Sequence, residues 1–376
     1  MSGRKARGDA AAPRIMNQSM HQAVHEVMHL VTIARRCLNW QLPIRREFDM
    51  RGYDSKATLR RMACLLALVA GSVTTALAQP ATLRLGYGTA AEEPLWLIVA
   101  KPDLAKNQGK AYTLDATRFT GSDKRGQAFE AGAIDLAASS ANGVIFAAAE
   151  GVSAKVIASI SRESSRGFST SFYVKDSSPI KSIADLKGKI VGINGFFTSG
   201  HLWLKSALEK QGLTETDVTI TPVPFPAMQE ALDAGKVDLG QFPQPFAALA
   251  EKQMKVRKIF DAKYGIPFEE ELIVLIGKDE FLKKNASAVR GLLEDLKSAT
   301  AFYLENPREA RQILIDRKMV RVNSDVYVTM NDYYRDPSLQ VDADALEKMQ
   351  AFQIKAGFQK KSADVRSLVD LSYLPK

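Results

Sequence analysis

One nine-residue pattern occurs twice in this chain and constrains its fold more than any other feature. Residues 128–136 read AFEAGAIDL and residues 231–239 read ALDAGKVDL, so the copies align without gaps at an offset of 103 residues. In each copy we expect a helix to stop at a glycine and the chain to turn into a short buried strand. Because each copy is followed by a predicted helix, the repeat predicts two lobes of like topology.

The segments around the repeat alternate short apolar strands with amphipathic helices from residue 82 to residue 278 and are almost wholly helical afterwards. This order predicts an α/β fold in which each of two lobes is a mostly parallel sheet flanked by helices. The predicted strands are 82–87, 112–119, 135–138, 154–160, 168–174, 190–194, 218–223, 239–242, 256–260 and 271–276. The predicted helices are 93–107, 123–131, 142–150, 199–211, 227–234, 246–253, 286–305, 308–316 and 344–356.

Two of these strands are expected to carry the chain from one lobe to the other and to form a hinge. They are strand 168–174, which leaves the first lobe, and strand 271–276, which returns to it. We therefore assign residues 79–174 to lobe one, 175–274 to lobe two and 275–376 to a mainly helical return to lobe one.

The residues before the first lobe have the features of a secretory signal peptide. Lys56, Arg60 and Arg61 precede an uncharged run that ends Ala76-Leu77-Ala78, with small residues three and one before the expected cut. Such a pattern, in residues 50–78, predicts export and cleavage after Ala78, and an uncleaved membrane anchor is the alternative. The mature chain would then begin at Gln79.

Residues 1–49 are expected to be an extension without a fold, upstream of a translation start near Met50; a functional arm is the alternative. This segment contains His25-Glu26-Val27-Met28-His29, which matches the H-E-x-x-H spacing of zinc proteases. The match stands alone, without a defined third ligand, and we interpret it as a chance occurrence.

Removal of the leader changes both the charge and the chemistry of the chain. Residues 1–78 hold 12 of the 51 lysine and arginine residues and 5 of the 42 acidic ones, which leaves 39 basic against 37 acidic residues. A mature chain so nearly neutral has no nucleic-acid signature. Cys37, Cys64 and every histidine except His201 also leave with the leader. This loss excludes a thiol nucleophile, a disulfide and a Cys/His zinc site from the exported form. For a binding role we expect no catalytic residue, no metal site and no cofactor.

Ligands of open parallel sheets lie beyond the carboxyl ends of the strands, against helix N-termini. That rule selects four loops, at residues 87–93, 139–142, 195–201 and 241–244. Within the loop at 195–201, residues 196–200 combine two phenylalanines, two hydroxyls and a glycine. The predicted ligand-binding residues are Tyr87, Glu92, Ser139, Ser140, Phe197, Thr198, Ser199, His201, Gln241 and Gln244.

Simpler roles stay open for several of these residues. The hydroxyls of Ser140, Thr198 and Ser199 could cap helices, and Glu92 is more typical of a cap than of a ligand for an ammonium group. His201 could donate a hydrogen bond in the pocket or lie on a helix surface. Five cations could face an anionic ligand but are more typical of solvated surface charge: Arg118, Lys124, Arg125, Arg162 and Arg166.

Three elements together resemble one known family. They are the opening strand Leu83-Arg84-Leu85-Gly86-Tyr87, the two A-G-x-x-D-L repeats, and residues 182–192, which read SIADLKGKIVG. Over about residues 82–370 the chain resembles the periplasmic solute-binding proteins of ABC importers, within the nitrate, sulfonate, taurine and thiamine-precursor group. The resemblance implies the type II binding-protein fold, a periplasmic monomer that binds a small-molecule ligand without turnover, and an inner-membrane ABC permease as partner.

Two departures restrict the resemblance to a ligand class. Gly88 stands where many members have glutamine, and Pro243-Gln244-Pro245 stands where many have W-E-P. The implied ligand is a small polar or anionic organic solute of the sulfonate, nitrate or taurine kind. An enzyme on the same fold, such as a pyrimidine-precursor synthase, would need a reactive cysteine or histidine cluster. A transcription regulator would need a helix-turn-helix where the signal peptide stands.

Overall fold

Two five-stranded sheets with the same strand order form the framework of the chain. A computed structural model describes residues 79–321 and 324–376. In the first sheet the order is β2-β1-β3-β10-β4, formed by Tyr112–Arg118, Ala81–Tyr87, Leu136–Ser140, Glu270–Gly277 and Lys155–Glu163. In the second it is β7-β6-β8-β5-β9, formed by Thr219–Pro222, Ile190–Ile193, Leu239–Phe242, Ser171–Lys175 and Val256–Asp261.

Each sheet is mixed, with one strand opposed to the others. In the first sheet β1 pairs in parallel with β2 and β3, while β10 is antiparallel to both β3 and β4. In the second β6 pairs in parallel with β7 and β8, while β5 is antiparallel to β8 and β9. The predicted two-lobed α/β fold with mostly parallel sheets is therefore confirmed.

Helices cover both sheets and form most of the C-terminal region. The first three, in lobe one, are α1 Glu93–Ala100, α2 Ser122–Glu130 and α3 Ala141–Ala149. Lobe two contains α4 Ser199–Glu209, α5 Phe225–Asp233, α6 Phe246–Gln253 and the short α7 Ala262–Gly265. The return segment contains α8 Asp279–Lys284, α9 Ala286–Glu305, α10 Pro307–Asp316, α11 Ser324–Thr329, α12 Ala343–Lys355 and α13 Val365–Leu368.

The sequence repeat has the same backbone geometry in both lobes. Gly132 follows α2 and Gly235 follows α5, with φ angles of 74° and 67°, the left-handed region that glycine adopts without strain. In both copies the residue after the glycine donates its N–H to a carbonyl in the last part of the helix. Ala133 donates to Ala128 and Lys236 donates to Ala231, each at 2.9 Å. The predicted helix stop at each glycine is confirmed.

The crossing strands belong to the lobes that they enter. All of β5 pairs within the second sheet, and β10 pairs within the first along its whole length except at Leu272, where the register shifts. The predicted lobe boundaries, after residues 174 and 274, fall inside these strands, so the pairing places the crossings several residues earlier. The connecting segments are residues 164–170 and 262–269.

One predicted helix is shorter than expected. The apolar period from residue 93 predicts a helix to residue 107, but α1 ends at Ala100 and a single 3-10 turn, Pro102–Leu104, follows. Pro102 lacks the N–H that would continue the helix, and its ring disfavours helical geometry before it. The sequence therefore contained the stop signal.

Lobe one is packed through its C-terminal helices. Leu83, Leu85 and Trp96 are fully buried against apolar residues of α9. Below them the buried Arg335 pairs with Glu93 and, at 3.0 Å, with Asp332. Among the described residues, none of the helices is both long and apolar enough to span a bilayer. The predicted signal peptide, the extension and His25 to His29 lie outside the described residues.

Candidate functional site

A cleft between the two lobes brings together polar groups from both sheets. It contains about 610 Å3 of empty space, part of it open to solvent. Its walls come from the strand-end loops of both lobes and from the first residues of α4. The lining residues are Gly88, Thr89, Ala90, Ala91, Glu92, Phe119, Thr120, Gly121, Ser122, Arg125, Ser140, Thr170, Asn194, Thr198, Ser199, Gly200, Trp203, Phe225, Gln241, Pro243, Leu272 and Ile273.

The lobe-one wall is built around a buried ion pair. Arg125 Nη1 donates to Glu92 Oε1 at 2.9 Å, and both side chains are less than a tenth exposed. The second carboxylate oxygen of Glu92 accepts the Gly88 N–H at 2.6 Å. A Cβ at Gly88 would lie 2.5 Å from Arg125 Nη1 and 2.7 Å from Glu92 Oε1. The glycine at this position therefore lets the ion pair approach the backbone.

The charge of this pair is balanced within the protein. Burial raises the pKa of Glu92, while Arg125 and the Gly88 N–H lower it. Arg125 has five N–H donors, and only one of them has a partner among the described residues. The guanidinium thus keeps donors that can serve a ligand.

The lobe-two wall is the loop before α4. Thr198 precedes the helix, but its hydroxyl donates to the Gly195 carbonyl at 2.8 Å instead of capping. The side chain of Gln241 accepts the Asn194 N–H at 3.2 Å. The predicted alternative of ordinary capping is therefore wrong for Thr198, and the first N–H of α4, that of Ser199, is instead accepted by Ser140 Oγ of lobe one at 3.3 Å.

Direct hydrogen bonds join the two walls. The hydroxyls of Ser140 and Ser199 lie 2.9 Å apart, and Asn142 Nδ2 donates to Ser199 Oγ at 2.8 Å. At the other end Asn194 Nδ2 donates to Ser122 Oγ at 2.9 Å. These contacts connect β3 and its following helix with α4, and they hold the lobes in a closed arrangement.

Aromatic side chains supply the apolar part of the cleft. Phe119 follows β2, Trp203 lies on α4 and Phe225 begins α5. The indole of Trp203 is 1% exposed and donates from Nε1 to Glu270 Oε1 at 2.5 Å. The cleft can therefore pack an organic group against rings while polar atoms bind its head.

The structure brings half of the predicted residues together at the cleft. Glu92, Ser140, Thr198, Ser199 and Gln241 line it. Tyr87 is buried at the end of β1 and is not among the lining residues. Ser139 and Phe197 line a neighbouring groove that is open to solvent. Whether any of these residues binds a ligand stays a prediction.

Two predicted residues, His201 and Gln244, do not line the cleft, because their polar atoms form hydrogen bonds with other parts of the chain. His201 is buried, accepts the Phe197 N–H at its Nδ1 and meets Glu215 at 2.6 Å through Nε2. It is neither a cleft donor nor a surface residue. Gln244 donates to the Asn331 carbonyl at 2.8 Å and accepts the Ala248 N–H at 3.2 Å.

The neighbouring groove is bordered by an aromatic contact between the lobes. Phe197 of lobe two stacks on Phe146 of α3 with ring centroids 4.3 Å apart, and both rings contact Phe358 edge-on. Phe197 has a φ of 57°, in the left-handed region, yet its side chain stays 45% exposed. Phe197, which we predicted to bind the ligand, thus forms an interlobe contact beside the cleft.

Sequence analysis missed several residues that line the cleft. Arg125 was expected at the surface, but it is buried beneath the loop after β1. Phe119 and Ser122 follow β2, which is parallel to β1, so the rule of strand ends would have selected them. Trp203 belongs to the Leu-Trp-Leu segment that occurs in both lobes, a signal that was available.

Comparisons place the chain among known proteins. A family model described as NMT1/THI5 like matches residues 115–310. The "Putative thiamine biosynthesis protein" of Haemophilus influenzae is 29% identical over 201 residues, 51% of this chain and 62% of that protein. The 4-amino-5-hydroxymethyl-2-methylpyrimidine phosphate synthase THI12 of Saccharomyces cerevisiae is 26% identical over 229 residues, 56% of this chain and 61% of that protein. The matches thus span about six tenths of the length of these curated relatives.

A solved structure extends the likeness of fold to almost all the described residues. The alkanesulfonate-binding protein SsuA from Xanthomonas axonopodis pv. citri, bound to MOPS, has a TM-score of 0.65. The match covers 78% of this chain and 99% of that protein at 20% identity. This likeness shows the periplasmic binding protein fold.

Proposed function

We propose that this chain, which belongs to the NMT1/THI5-like family, is the exported solute-binding component of an ABC importer. It captures a small polar or anionic organic solute, of the sulfonate, nitrate or taurine kind, in the cleft between its lobes. The fold that it shares with solute-binding proteins supports the binding role, and the SsuA structure was solved with a sulfonate buffer bound.

The convergence of polar groups from both lobes on one enclosed space carries this proposal. Arg125 and Ser140 reach the cleft from lobe one, and Ser199 and Gln241 reach it from lobe two. A solute that touches both walls binds the closed arrangement more tightly than the open one, and it therefore drives closure. Closure of this kind serves binding and requires no bond to be made or broken.

The cleft chemistry supports an organic solute with a polar or anionic head. The N–H donors of Arg125 that have no partner among the described residues, together with the N-terminus of α4, favour oxygen acceptors such as those of a sulfonate or carboxylate. Glu92 neutralises part of the arginine charge, so a head that carries a donor as well as acceptors also fits. Phe119, Trp203 and Phe225 would pack the carbon part of the molecule.

The cellular setting belongs to the same proposal. The signal sequence that we predict at residues 50–78 would deliver the chain to the periplasm as a monomer. There the closed form would present both lobe surfaces to an inner-membrane permease. Cleavage after Ala78 is testable by mass spectrometry of the exported protein, which should begin at Gln79; a protein that retains Met1 would contradict export.

A thermal-shift screen tests the proposed function. The probes are alkanesulfonates, taurine, nitrate, small carboxylates and aminopyrimidines. A ligand at a hundred times its dissociation constant stabilises the native state by about 2.7 kcal/mol, which gives a clear rise in Tm. Failure of every probe class to raise the Tm would contradict the proposed ligand class.

Variants then show whether the probe occupies the cleft. Thr198→Ala with Ser199→Ala should weaken calorimetric affinity by roughly 1–3 kcal/mol, because the cleft loses the Ser199 hydroxyl and the loop loses the bond from Thr198 to the Gly195 carbonyl. Ser298→Ala, on the exposed side of α9, is the matched control and should leave affinity unchanged. Equal affinities in the two proteins would remove this loop from the site.

An enzyme is the second candidate, and the yeast relative named as a synthase favours it. The two functions differ in what happens to the solute. Prolonged incubation followed by mass spectrometry should recover the probe unchanged from a binding protein. Recovery of a new product in more than stoichiometric amount would establish the enzyme.

A further inference from the structure

Two buried carboxyl groups face each other where the chain passes between the lobes. Glu163 is the last residue of β4 and Glu270 is the first residue of β10, and they are direct partners in the antiparallel ladder. Side chains of such partners have Cβ atoms about 5 Å apart on one face of the sheet. Glu163 is 3% exposed and Glu270 is 2% exposed.

Glu270 contacts both walls of the cleft. Its Oε1 accepts the indole N–H of Trp203, on α4 of lobe two, at 2.5 Å. Its Oε2 lies 3.3 Å from Asn142 Nδ2, on α3 of lobe one, and the same amide nitrogen donates to Ser199 Oγ. One carboxyl group thus positions an aromatic wall and the hydroxyl contact between the lobes.

Glu163 is held by the adjacent connecting segment. It accepts the Thr170 N–H at 3.0 Å and the Thr170 hydroxyl at 2.6 Å. Thr170 lines the cleft, and its hydroxyl lies 2.8 Å from that of Tyr333. The second carboxyl group is therefore also joined to the cleft through one residue.

No cation in the described part of the chain forms an ion pair with either carboxyl group. The titratable groups that act on the pair are the two glutamates themselves, the buried Tyr333 and the exposed Lys263. Burial raises the pKa of Glu163 to about 7. Burial and then the charge of Glu163 raise the pKa of Glu270 well above its usual range. Near neutral pH the two groups together keep at least part of a proton.

We infer that Glu270 is a positioning residue of the cleft and that, with Glu163, it forms a proton-binding pair which favours the closed arrangement of the lobes. Opening would separate Trp203 from Glu270 and admit water to both carboxyl groups. Closure would then take up a proton, in a step that needs no ligand contact to either glutamate.

The direction of the pH effect follows from linkage. A pKa raised in the closed state gives stabilisation that is complete below the open-state pKa and is lost as the pH rises through the closed-state pKa. Solute affinity should therefore fall as the pH rises from 5 to about 8, by up to about tenfold per pH unit for one proton. This consequence rests on the proposed solute-binding function, whereas the proton-binding pair itself does not.

The indole N–H signal of Trp203 tests the pair without any ligand. In 15N-labelled full-length protein, assigned with Trp203→Phe, this signal should titrate between pH 5 and 9, with a midpoint well above the usual carboxyl range. Glu270→Gln keeps the size of the side chain and should abolish the titration. Glu163→Gln should move the midpoint to lower pH, because it removes the neighbouring negative charge.

Glu271→Gln is the matched control. Glu271 is also buried on β10, but Arg162 Nε lies 2.8 Å from its carboxylate, and the variant should leave the Trp203 titration unchanged. A Trp203 signal that is constant between pH 5 and 9, or that titrates alike in wild type and Glu163→Gln, would overturn the inference even if Glu270→Gln fails to fold. A negative ligand screen would contradict only the proposed function.

Discussion

The loop after β1 and the loop after β6 occupy equivalent places in the two lobes, but they are built differently. Each places a non-glycine residue in the left-handed region just before a helix, Ala91 with φ 62° and Phe197 with φ 57°. The lobe-one loop surrounds the buried pair of Glu92 and Arg125. The lobe-two loop exposes Phe197 and turns hydroxyls toward the cleft. The two loops thus share a backbone conformation, whereas their side chains make the lobe-one wall charged and the lobe-two wall neutral.

The two tryptophans of the repeated Leu-Trp-Leu segments show the same division. Both are 1% exposed. Trp96 belongs to the lobe-one core, and its Nε1 has no hydrogen-bond partner among the described residues. Trp203 lines the cleft and donates to Glu270. The tryptophan therefore contributes to core packing in lobe one and lines the candidate site in lobe two.

Loss of the lobe-one ion pair should give the largest effect. Arg125→Ala leaves the Glu92 carboxylate buried without its cation, and we expect a loss of about 3–5 kcal/mol in the free energy of unfolding and loss of solute binding. Arg366→Ala is the control, since its pair with Asp344 lies at the surface and contributes about 0–1 kcal/mol. Urea denaturation measures both. Equal losses would mean that burial does not distinguish the two pairs.

The tryptophan comparison should give the next largest effect. Trp203→Phe leaves a buried acceptor of Glu270 without its donor, which costs about 1–3 kcal/mol, and it should also weaken solute binding. Trp96→Phe removes an N–H without a partner, so we expect a smaller loss of stability and unchanged affinity. Unfolding curves and calorimetry measure these quantities. Weaker binding in Trp96→Phe alone would reverse the assigned roles.

The stability of the fold at acid pH should depend on Glu215 of lobe two and its contacts with His201 and Lys205. The side chains of His201 and Lys205 hold the pKa of Glu215 at about 2. A depressed pKa stabilises the fold above the usual carboxyl range and loses that contribution as the pH falls from about 4.5 to about 2. The difference in urea midpoint between pH 5 and pH 3 should therefore shrink in Glu215→Gln. It should persist in Glu209→Gln, whose carboxylate is largely exposed.

The left-handed residues should give the smallest effect. Ala91→Gly relieves about 1 kcal/mol of backbone strain but loses a buried methyl group and adds chain entropy, so we expect a change within about 1 kcal/mol. Phe197→Gly also loses the stack on Phe146, about 0.5–1.5 kcal/mol, and should be the less stable variant. Thermal unfolding orders the two, and a less stable Ala91→Gly would contradict the contrast between the loops.

Much of the framework could be predicted because it depends on local patterns. Strand β8 and helices α6 and α9 have the predicted bounds, since apolar period and flanking residues agree there. The strand-end rule selected the edge of each sheet along which the cleft lies. It could not identify which side chains enter the cleft, because that depends on partners far away in sequence. The side-chain amide of Gln244 donates a hydrogen bond to the Asn331 carbonyl instead of facing the cleft. Arg125 was expected at the surface, but it is buried because the Glu92 carboxylate forms an ion pair with it.

The central claim is that both lobes share one cleft and that a solute closes it, and small-angle scattering tests it most directly. With a solute from the screen at saturation, the radius of gyration should fall, and Ser140→Ala in lobe one and Gln241→Ala in lobe two should each weaken binding. A radius of gyration that stays constant at saturation, with only one lobe's substitution affecting affinity, would contradict the claim.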